Sequence, residues 1–309
     1  MSYHIISIDL PDCNITVRDG QLRVYSKEIE NTIPLEDVAS IVITSFRCNM
    51  SSNFIIEAAK KKIGVILCEH FKPISILLPT DRATDTQVIR NLAQLTLQQK
   101  RRFWKKTIHT KCHNQLTLAR LWNPNHHLIA DLEHASVTDK DSKESECAKL
   151  YWNIFSDTFT NGQFKRNRAL DDLNVYFNYA YAILLSCVLR NLLAFGIDPT
   201  FGIFHATREH SAPLAYDLME PFRAAFDLKI AQWISSNPDI SGESSKCLIT
   251  KEFRKHITNT LLEATEYENK FMPFKSAIEH VMRSFRAALL SLQTGPYEPW
   301  KISTTKWDG

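Results

Sequence analysis

Residues 15–24, ITVRDGQLRV, decide the fold of the N-terminal part of the chain. Apolar and polar residues alternate on either side of Asp19-Gly20, two residues that adopt positive φ angles easily, and this pattern predicts a β-hairpin. Other runs of β-branched residues predict further strands at 5–10, 38–44, 63–68 and 74–78, with a short helix at 51–62. The sequence therefore predicts a β-rich domain over residues 1–80, similar to a β-sandwich with one small helix.

After residue 80 the hydrophobic period becomes helical. Residues 81–87 are polar and are predicted to form a linker. Candidate helices follow at 88–122, 143–158, 171–195, 212–235, 248–265 and 273–293. We therefore predict a larger, all-α domain over residues 88–295, a loose tail over 296–309, and an α+β fold class with two domains.

The composition of the 309 residues is that of an ordinary globular protein, with 44% hydrophobic and 23% charged residues. This excludes wholesale disorder. No apolar window is long enough to predict a membrane span, and the first residues do not resemble a secretory signal. Seven cysteines without a Cys-x-x-Cys pair do not indicate a disulfide framework or a zinc ribbon. We expect a cytoplasmic protein with no membrane partner.

The positive charge of the chain is concentrated in one segment. Residues 86–130 contain no Asp or Glu but eight Lys and Arg residues: Arg90, Lys100, Arg101, Arg102, Lys105, Lys106, Lys111 and Arg120. If 97–122 is a single helix, five of its polar residues fall on one side of it: Arg102, Lys106, His109, His113 and Arg120. This basic stripe is either a surface for the phosphates of a nucleic acid or an ordinary solvated helix face, and the sequence favours neither.

The same helix carries a second, weaker pattern. His109 and His113 are one turn apart, with Cys112 nearby, which is one half of a metal-binding pattern. No third or fourth ligand stands at a recognisable spacing. We therefore favour a pair of neutral polar residues over a zinc site.

Glu144 and Glu146 are the next candidates for chemistry. On a helix they point ~200° apart, so at most one of them faces inward. Glu144 shares a stripe with Ala148, Tyr151 and Phe155, where an acid must be paired or must bind a cation. Asp141-x-x-Glu144 also resembles a capping box, and that interpretation is the stronger of the two from the residues alone.

A histidine and two acids follow in the second half of the chain. His205 lies in a connection that contains glycine and proline, and Asp217 and Glu220 share one side of the next predicted helix. Pro221 lacks an N–H group, so that helix should bend there. This combination suits a divalent cation, although a lone histidine is more often structural and an Asp-x-x-Glu pair is common on surfaces.

A set of motifs extends over most of the chain. The central ones are residues 198–205 (DPTFGIFH) and 213–223 (PLAYDLMEPFR). The others are 34–38 (PLEDV) and 63–66 (IGVI) in the N-terminal domain, 111–115 (KCHNQ), 171–174 (DDLN) and 179–181 (YAY). In this order, the motifs together resemble the CRISPR-associated endonuclease-integrase family of spacer acquisition.

The resemblance implies a metal-dependent DNA endonuclease and integrase whose ion, Mg²⁺ or Mn²⁺, is held by Glu144, His205 and Glu220, with Asp217 as a neighbour. The same three residues would be the catalytic residues. In this family a glycine follows the glutamate, and an alanine stands two places further on; here these are Ser145 and Cys147, so Glu146 is the alternative position for the ligand. We assign no covalent protein nucleophile and interpret Tyr151, Tyr179 and Tyr181 as packing residues.

The resemblance also predicts partners. Double-stranded DNA would contact basic residues inside and outside the stripe: Arg102, Lys106, Lys111, Arg120, Lys165, Arg166, Arg168 and Arg223. We expect a homodimer, formed through the N-terminal domain, and a complex with the small second adaptation protein. The compact length and the run 103–105 (FWK) to 114–115 (NQ) are most similar to the version found beside type II systems, and further proteins of such a system are then predicted as partners.

Two other functions are compatible with the sequence. A non-catalytic DNA-binding scaffold would use the basic stripe but would not need inward-facing acids. A metal-dependent phosphohydrolase of small nucleotides would need the acids but would leave the acid-free basic segment without a role.

Overall fold

The computed structural model describes residues 4–45, 47–69, 72–79, 85–138, 143–167, 173–205, 212–238 and 249–303. The chain forms two compact units. The first contains Met1–Gln94 and Ala182–Tyr216, and the second contains Leu95–Tyr181 and Asp217–Gly309. The sequence predicted two consecutive domains divided at residues 81–87. In the structure, Ala182–Tyr216 belongs to the same unit as the N-terminal part of the chain.

Among its described residues, the N-terminal part has eight strands: β1 (His4–Ile8), β2 (Cys13–Arg18), β3 (Gln21–Tyr25), β4 (Glu30–Pro34), β5 (Val38–Ile43), β6 (Cys48–Met50), β7 (Gly64–Glu69) and β8 (Lys72–Leu77). They form two four-stranded sheets, with the orders β1-β5-β7-β8 and β4-β3-β2-β6. Strands β2 and β3 pair antiparallel around Asp19 and Gly20, whose φ angles are 52° and 73°. The predicted hairpin is therefore confirmed.

One hydrophobic core joins the two sheets. Ile15 and Leu22 from one sheet and Ile41 and Val65 from the other belong to the same buried cluster. Helix α1 (Ser52–Lys60) adds Phe54 to this core. The predicted β-rich domain with one small helix is confirmed, and its alternating strands place their apolar side chains on the inner faces.

The remaining helices are α2 (Thr86–Ala93), α3 (Leu97–Trp122), α4 (Ile129–Val137), α5 (Lys143–Thr160), α6 (Asn174–Ala194), α7 (Pro213–Met219), α8 (Arg223–Ser236), α9 (Lys251–Asn259) and α10 (Phe274–Ser291). The predicted helix 88–122 is thus two helices. Thr96 begins the second one, because its side chain accepts a hydrogen bond from the Gln99 N–H while the Gln99 side chain accepts one from the Thr96 N–H.

Helix α6 is the most apolar helix of the described chain that is long enough to cross a membrane. Its mean hydropathy is 1.3 over the most apolar window, but 83% of that window is buried inside the protein. The core helix of a folded protein has the same length and composition, so this feature is weak evidence for a membrane span.

Two details of the C-terminal part differ from a purely helical domain with a loose tail. Besides its helices, this part contains a hairpin of β9 (Ala264–Tyr267) and β10 (Lys270–Pro273), with positive φ at Glu268 and Asn269. The segment after α10 is also not a loose tail over its described residues. Tyr297 and Trp300 are buried, and Asn114 of α3 donates a hydrogen bond to the Trp300 carbonyl and accepts one from the Ile302 N–H.

Candidate active site

Lys111 lies between two acidic side chains, Glu144 and Glu220. Its Nζ atom is 2.7 Å from Glu144 Oε1 and 2.7 Å from Glu220 Oε2. The contact with Glu144 is a hydrogen bond, whereas the contact with Glu220 Oε2 is an ion pair outside hydrogen-bond geometry. Two of the three predicted metal ligands therefore face one positively charged group.

Lys111 is an ammonium ion in this position. Burial by itself lowers the pKa of Lys111, but the carboxylates of Glu220 and Glu144 raise it, and the net shift is upward. Lys111 and Glu220 are well buried, with side chains 11% and 4% exposed, and Glu144 is 30% exposed. In such an environment an uncompensated carboxylate is costly, so the three charges depend on one another.

A different element places each of these side chains. Lys111 is in the middle of α3, Glu144 is in the first turn of α5, and Glu220 begins the 3₁₀ turn Glu220–Phe222 between α7 and α8. The predicted bend at Pro221 is confirmed by this turn. Asn114, one turn after Lys111, donates a 2.8 Å hydrogen bond to the Pro221 carbonyl and so ties the bend to α3.

Arg223 extends the cluster on the other side of Glu220. Its guanidinium is 2.8 Å from Glu220 Oε1 and lies 4.6 Å from the centre of the Tyr181 ring. Burial lowers the pKa of Arg223, but the carboxylate of Glu220 raises it, and the net shift is upward. The side chain therefore stays charged. The buried acid Glu220 thus has a cation on each of its two oxygens.

Asp227, one turn after Arg223, is a buried acid that the sequence analysis missed. It accepts hydrogen bonds from Tyr151 (2.9 Å) and Tyr181 (2.6 Å). Burial raises the pKa of Asp227 to about 6, although the two phenol hydrogen bonds and the nearby Arg223 lower it. Tyr151 and Tyr181 therefore hold a carboxylate in addition to packing. An acid flanked by apolar residues in 224–231 (AAFDLKIA) was the available signal.

The other predicted ligands are placed as follows. Asp217 is fully buried in the second unit, Leu95–Tyr181 with Asp217–Gly309, which we call the helical unit. His205 belongs to the first unit, where its ring is 5.6 Å from that of Phe204 and 6.4 Å from that of Tyr216. Across the residues that the structure describes, no three His, Cys, Asp or Glu side chains are grouped closely enough to hold a metal ion.

The structure distinguishes Glu144 from the alternative Glu146. Glu144 contacts Lys111, whereas Glu146 is exposed on the opposite side of α5. Tyr151 and Phe155, which share the predicted stripe with Glu144, are fully buried. Asp141, the other half of the capping-box interpretation, lies outside the described residues.

The basic stripe is formed by one continuous helix, as predicted. Arg102, His109, His113 and Arg120 are exposed on α3, and Lys106 is half-buried. Acidic partners come from elsewhere in the chain, since Arg120 pairs with Glu133 and Lys106 with Glu298, each at 2.7 Å. Cys112 points away from both histidines into the core, which does not support the zinc pattern.

The remaining basic residues differ in their surroundings. Lys165 is exposed. Arg166 is directed inward, where it donates hydrogen bonds to Asn174 and Asn178 and lies near the rings of Trp152, Phe177 and Tyr181. Arg168 lies outside the described residues.

The fold and the site define an α+β protein with two units, in which the helical unit carries two acids, buried Glu220 and half-buried Glu144, beside a basic helix. The chain belongs to the family described as CRISPR associated protein Cas1, whose model matches residues 6–263. The CRISPR-associated endonuclease Cas1 of Neisseria meningitidis serogroup C is 26% identical over 288 residues, which cover 89% of this chain and 88% of the relative. The family resemblance in the sequence is thereby confirmed.

Solved structures share the fold. A casposase bound to its integration product has a TM-score of 0.72 at 20% identity, covering 98% of this chain and 96% of the casposase chain. A Cas6-RT-Cas1–Cas2 complex contains a chain with a TM-score of 0.77 at 15% identity, covering 97% of this chain and 36% of that chain. The predicted α+β fold class is confirmed by this similarity.

Proposed function

We propose that the protein is a divalent-metal-dependent DNA endonuclease and integrase of CRISPR adaptation, which inserts captured DNA fragments as new spacers. The observation that carries this proposal is that Glu144 and Glu220 converge on the ammonium of Lys111, whose Nζ atom is 2.7 Å from an oxygen of each acid. Membership of the Cas1 family and the names of relatives that are endonucleases or integrases support it.

The chemistry of the two acids suits a hard divalent ion. Both carboxylates already face the ammonium of Lys111, and carboxylate oxygens are the ligands that Mg²⁺ and Mn²⁺ prefer. Glu144 and Glu220 would hold the ion, with His205 as an imidazole ligand and Asp217 as a neighbour of Glu220. Such an ion, when bound, stabilises negative charge on a reacting phosphodiester.

The reaction we propose is a transesterification. The 3′-hydroxyl of the captured fragment forms a bond to a phosphorus atom in the CRISPR repeat, and the bond from that phosphorus to the repeat's own 3′ oxygen breaks. The attacking hydroxyl loses its proton and the leaving oxygen gains one. Because one phosphodiester bond replaces another, no external energy source is needed. Hydrolytic nicking is the same displacement with water as the nucleophile.

The chain's own residues contribute binding and charge. The exposed residues of the stripe, Arg102 and Arg120, with Lys106 and Lys165, are suited to phosphate contacts that position the DNA. Arg223 orients Glu220 by its 2.8 Å ion pair. In this proposal the chain works in the cytoplasm as a homodimer, together with the small second adaptation protein, and in a type II system with its further proteins.

The experiment incubates the purified chain with a branched DNA substrate, with Mn²⁺ or with a chelator. We expect cleavage that requires Mn²⁺ and falls by about a hundredfold or more in His205→Ala, because a ligand is lost. His134→Ala, which removes an exposed histidine of α4, is the control and should behave as wild type. Metal-independent cleavage, or equal activity in His205→Ala, would contradict the proposal.

The two alternatives predict other results. A non-catalytic scaffold would bind the branched DNA without cleaving it, and alanine at Glu144 or Glu220 would leave DNA processing by the adaptation complex intact. A phosphohydrolase of small nucleotides would retain its activity when Arg102 is changed to glutamate. The inward-facing Glu144 and Glu220 argue against the first of these alternatives, and the basic stripe argues against the second.

A further inference from the structure

Lys111 was expected to contact DNA, but its surroundings are those of an internal charge. Its side chain is only 11% exposed, whereas Arg102 and Arg120 of the same helix are exposed. Its Nζ atom is at equal distance from the oxygens of two acids, 2.7 Å each. A lysine that serves to grip a phosphate backbone would have its ammonium in solvent.

We propose that Lys111 is a positioning residue of the carboxylate site: its ammonium holds Glu144 and Glu220 together when no divalent ion is bound, and it competes with that ion for the same two oxygens. This inference rests on the proposed function, because it concerns the same site. It assigns Lys111 a role in setting the affinity for the ion rather than in binding DNA.

The charges of the site support competition. Glu144 and Glu220 carry two negative charges, and Lys111 and Arg223 carry two positive charges, so the four side chains balance without a metal ion. A divalent ion added to this balanced set meets a buried ammonium at the carboxylate oxygens that would be its ligands. Repulsion between two cations at such short distance is strong in a partly buried site. DNA phosphates would restore the balance, so binding of the ion and of DNA should be mutually favourable.

The test measures Mn²⁺ binding to the full-length chain without DNA, by the electron paramagnetic resonance signal of free Mn²⁺. In Lys111→Met we expect the affinity for Mn²⁺ to rise by about tenfold or more, because the competing charge is gone while the length of the side chain is kept. Mn²⁺ should also raise the Tm of this variant more than that of wild type. Lys111→Arg, which retains the charge, should bind Mn²⁺ as weakly as wild type.

Lys229→Met is the matched control. Lys229 is also buried, with a side chain 10% exposed, and it forms an ion pair with Glu263 at 2.8 Å. Its removal should lower the Tm without changing the affinity for Mn²⁺. A purely structural role of Lys111 predicts the same behaviour for Lys111→Met, so an unchanged or weaker affinity in that variant would overturn the proposal.

A second measurement covers the case in which Lys111→Met is too unstable for the Mn²⁺ titration but still has a measurable Tm. The double variant Lys111→Met with Glu144→Gln removes one charge of each sign, so we expect its Tm to exceed that of Lys111→Met alone. A double variant no more stable than Lys111→Met would overturn the role in charge compensation. If wild type and every variant fail to bind Mn²⁺, the proposed metal site itself is wrong, and this outcome is distinct from equal binding by wild type and Lys111→Met.

Discussion

The hydroxyl of Tyr181 donates a 2.6 Å hydrogen bond to Asp227 Oδ1, while the ring of the same tyrosine faces the guanidinium of Arg223 at 4.6 Å. Arg223 in turn pairs with Glu220. The buried acid Asp227 is thus connected to the acidic pair of the candidate site by one aromatic ring and one cation. The position of Glu220 depends on this chain of contacts as well as on the 3₁₀ turn that it begins.

We predict that the protein becomes less stable as the pH rises from about 4 to 6, because the stabilisation that protonated Asp227 provides is lost. Its pKa is raised from 3.8 to about 6 in the folded state, so the folded protein holds the proton more tightly than the unfolded chain. The stabilisation is present below pH 4 and is lost through pH 6, by on the order of 3 kcal/mol. Urea unfolding of wild type and Asp227→Asn across this range measures it, and the groups that face Asp227 (Tyr151, Tyr181, Arg166 and Arg223) are the same in both. A constant difference in free energy of unfolding between the two proteins would contradict this assignment.

The basic stripe predicts how DNA affinity depends on salt. Arg102→Glu should weaken binding of duplex DNA by about tenfold at low salt and reduce the slope of log affinity against log salt by about one or two, because at least one phosphate contact is lost. The measurement is a fluorescence anisotropy titration at several salt concentrations. Arg283→Glu, at an exposed arginine of α10 paired with Glu279, changes the net charge equally and should have a smaller effect. Equal effects of the two variants would show that general charge, not the stripe, attracts DNA.

The buried C-terminal segment predicts a large cost for Trp300→Ala. Trp300 is 1% exposed, and its indole N–H donates a 3.1 Å hydrogen bond to Thr265. Its removal leaves a cavity and should lower the free energy of unfolding by about 3–5 kcal/mol. Chemical denaturation measures this loss. Leu97→Ala, at a position 77% exposed, should change stability by no more than about 0.5 kcal/mol. A loose tail would make the two variants alike.

The geometry of α5 predicts that only one of its two neighbouring glutamates is needed. Glu144→Gln should abolish Mn²⁺-dependent cleavage of branched DNA, because Glu144 faces the site, whereas Glu146→Gln should cleave as wild type, because Glu146 is exposed. Initial rates under identical metal and salt concentrations give the comparison. The reverse result would move the ligand to Glu146, the alternative that the family pattern leaves open.

Local patterns predicted the parts of the fold that local forces determine. The hairpin at Asp19-Gly20 and the long helix α3 follow from turn chemistry and from a period of hydrophobic residues, which neighbouring residues establish among themselves. The bend at Pro221 follows from a missing N–H group. The hairpin β9–β10 was missed because its strands have only four residues each and lie between two helical patterns.

Contacts between distant residues could not be predicted in the same way. The pairing of Lys111 with Glu144 joins residues 33 positions apart, and the hydrogen bond from Tyr151 to Asp227 joins residues 76 positions apart. Neither Lys111 in its basic helix nor Asp227 in its apolar helix has a sequence pattern that predicts which residues it contacts. The family resemblance identified Glu144 and Glu220 as acids of one site, but it did not indicate that a lysine stands between them.

The contacts of Asn114 have a consequence for biosynthesis. Its amide group binds the Trp300 carbonyl and the Ile302 N–H, and the latter partner is 188 residues further along the chain. During translation, α3 emerges from the ribosome long before these partners are synthesised. Until then the amide of Asn114 lacks these two hydrogen bonds. Nascent chains that stall before residue 300 should therefore be good substrates for chaperones and proteases, and the helical unit should mature only once this last stretch has been released.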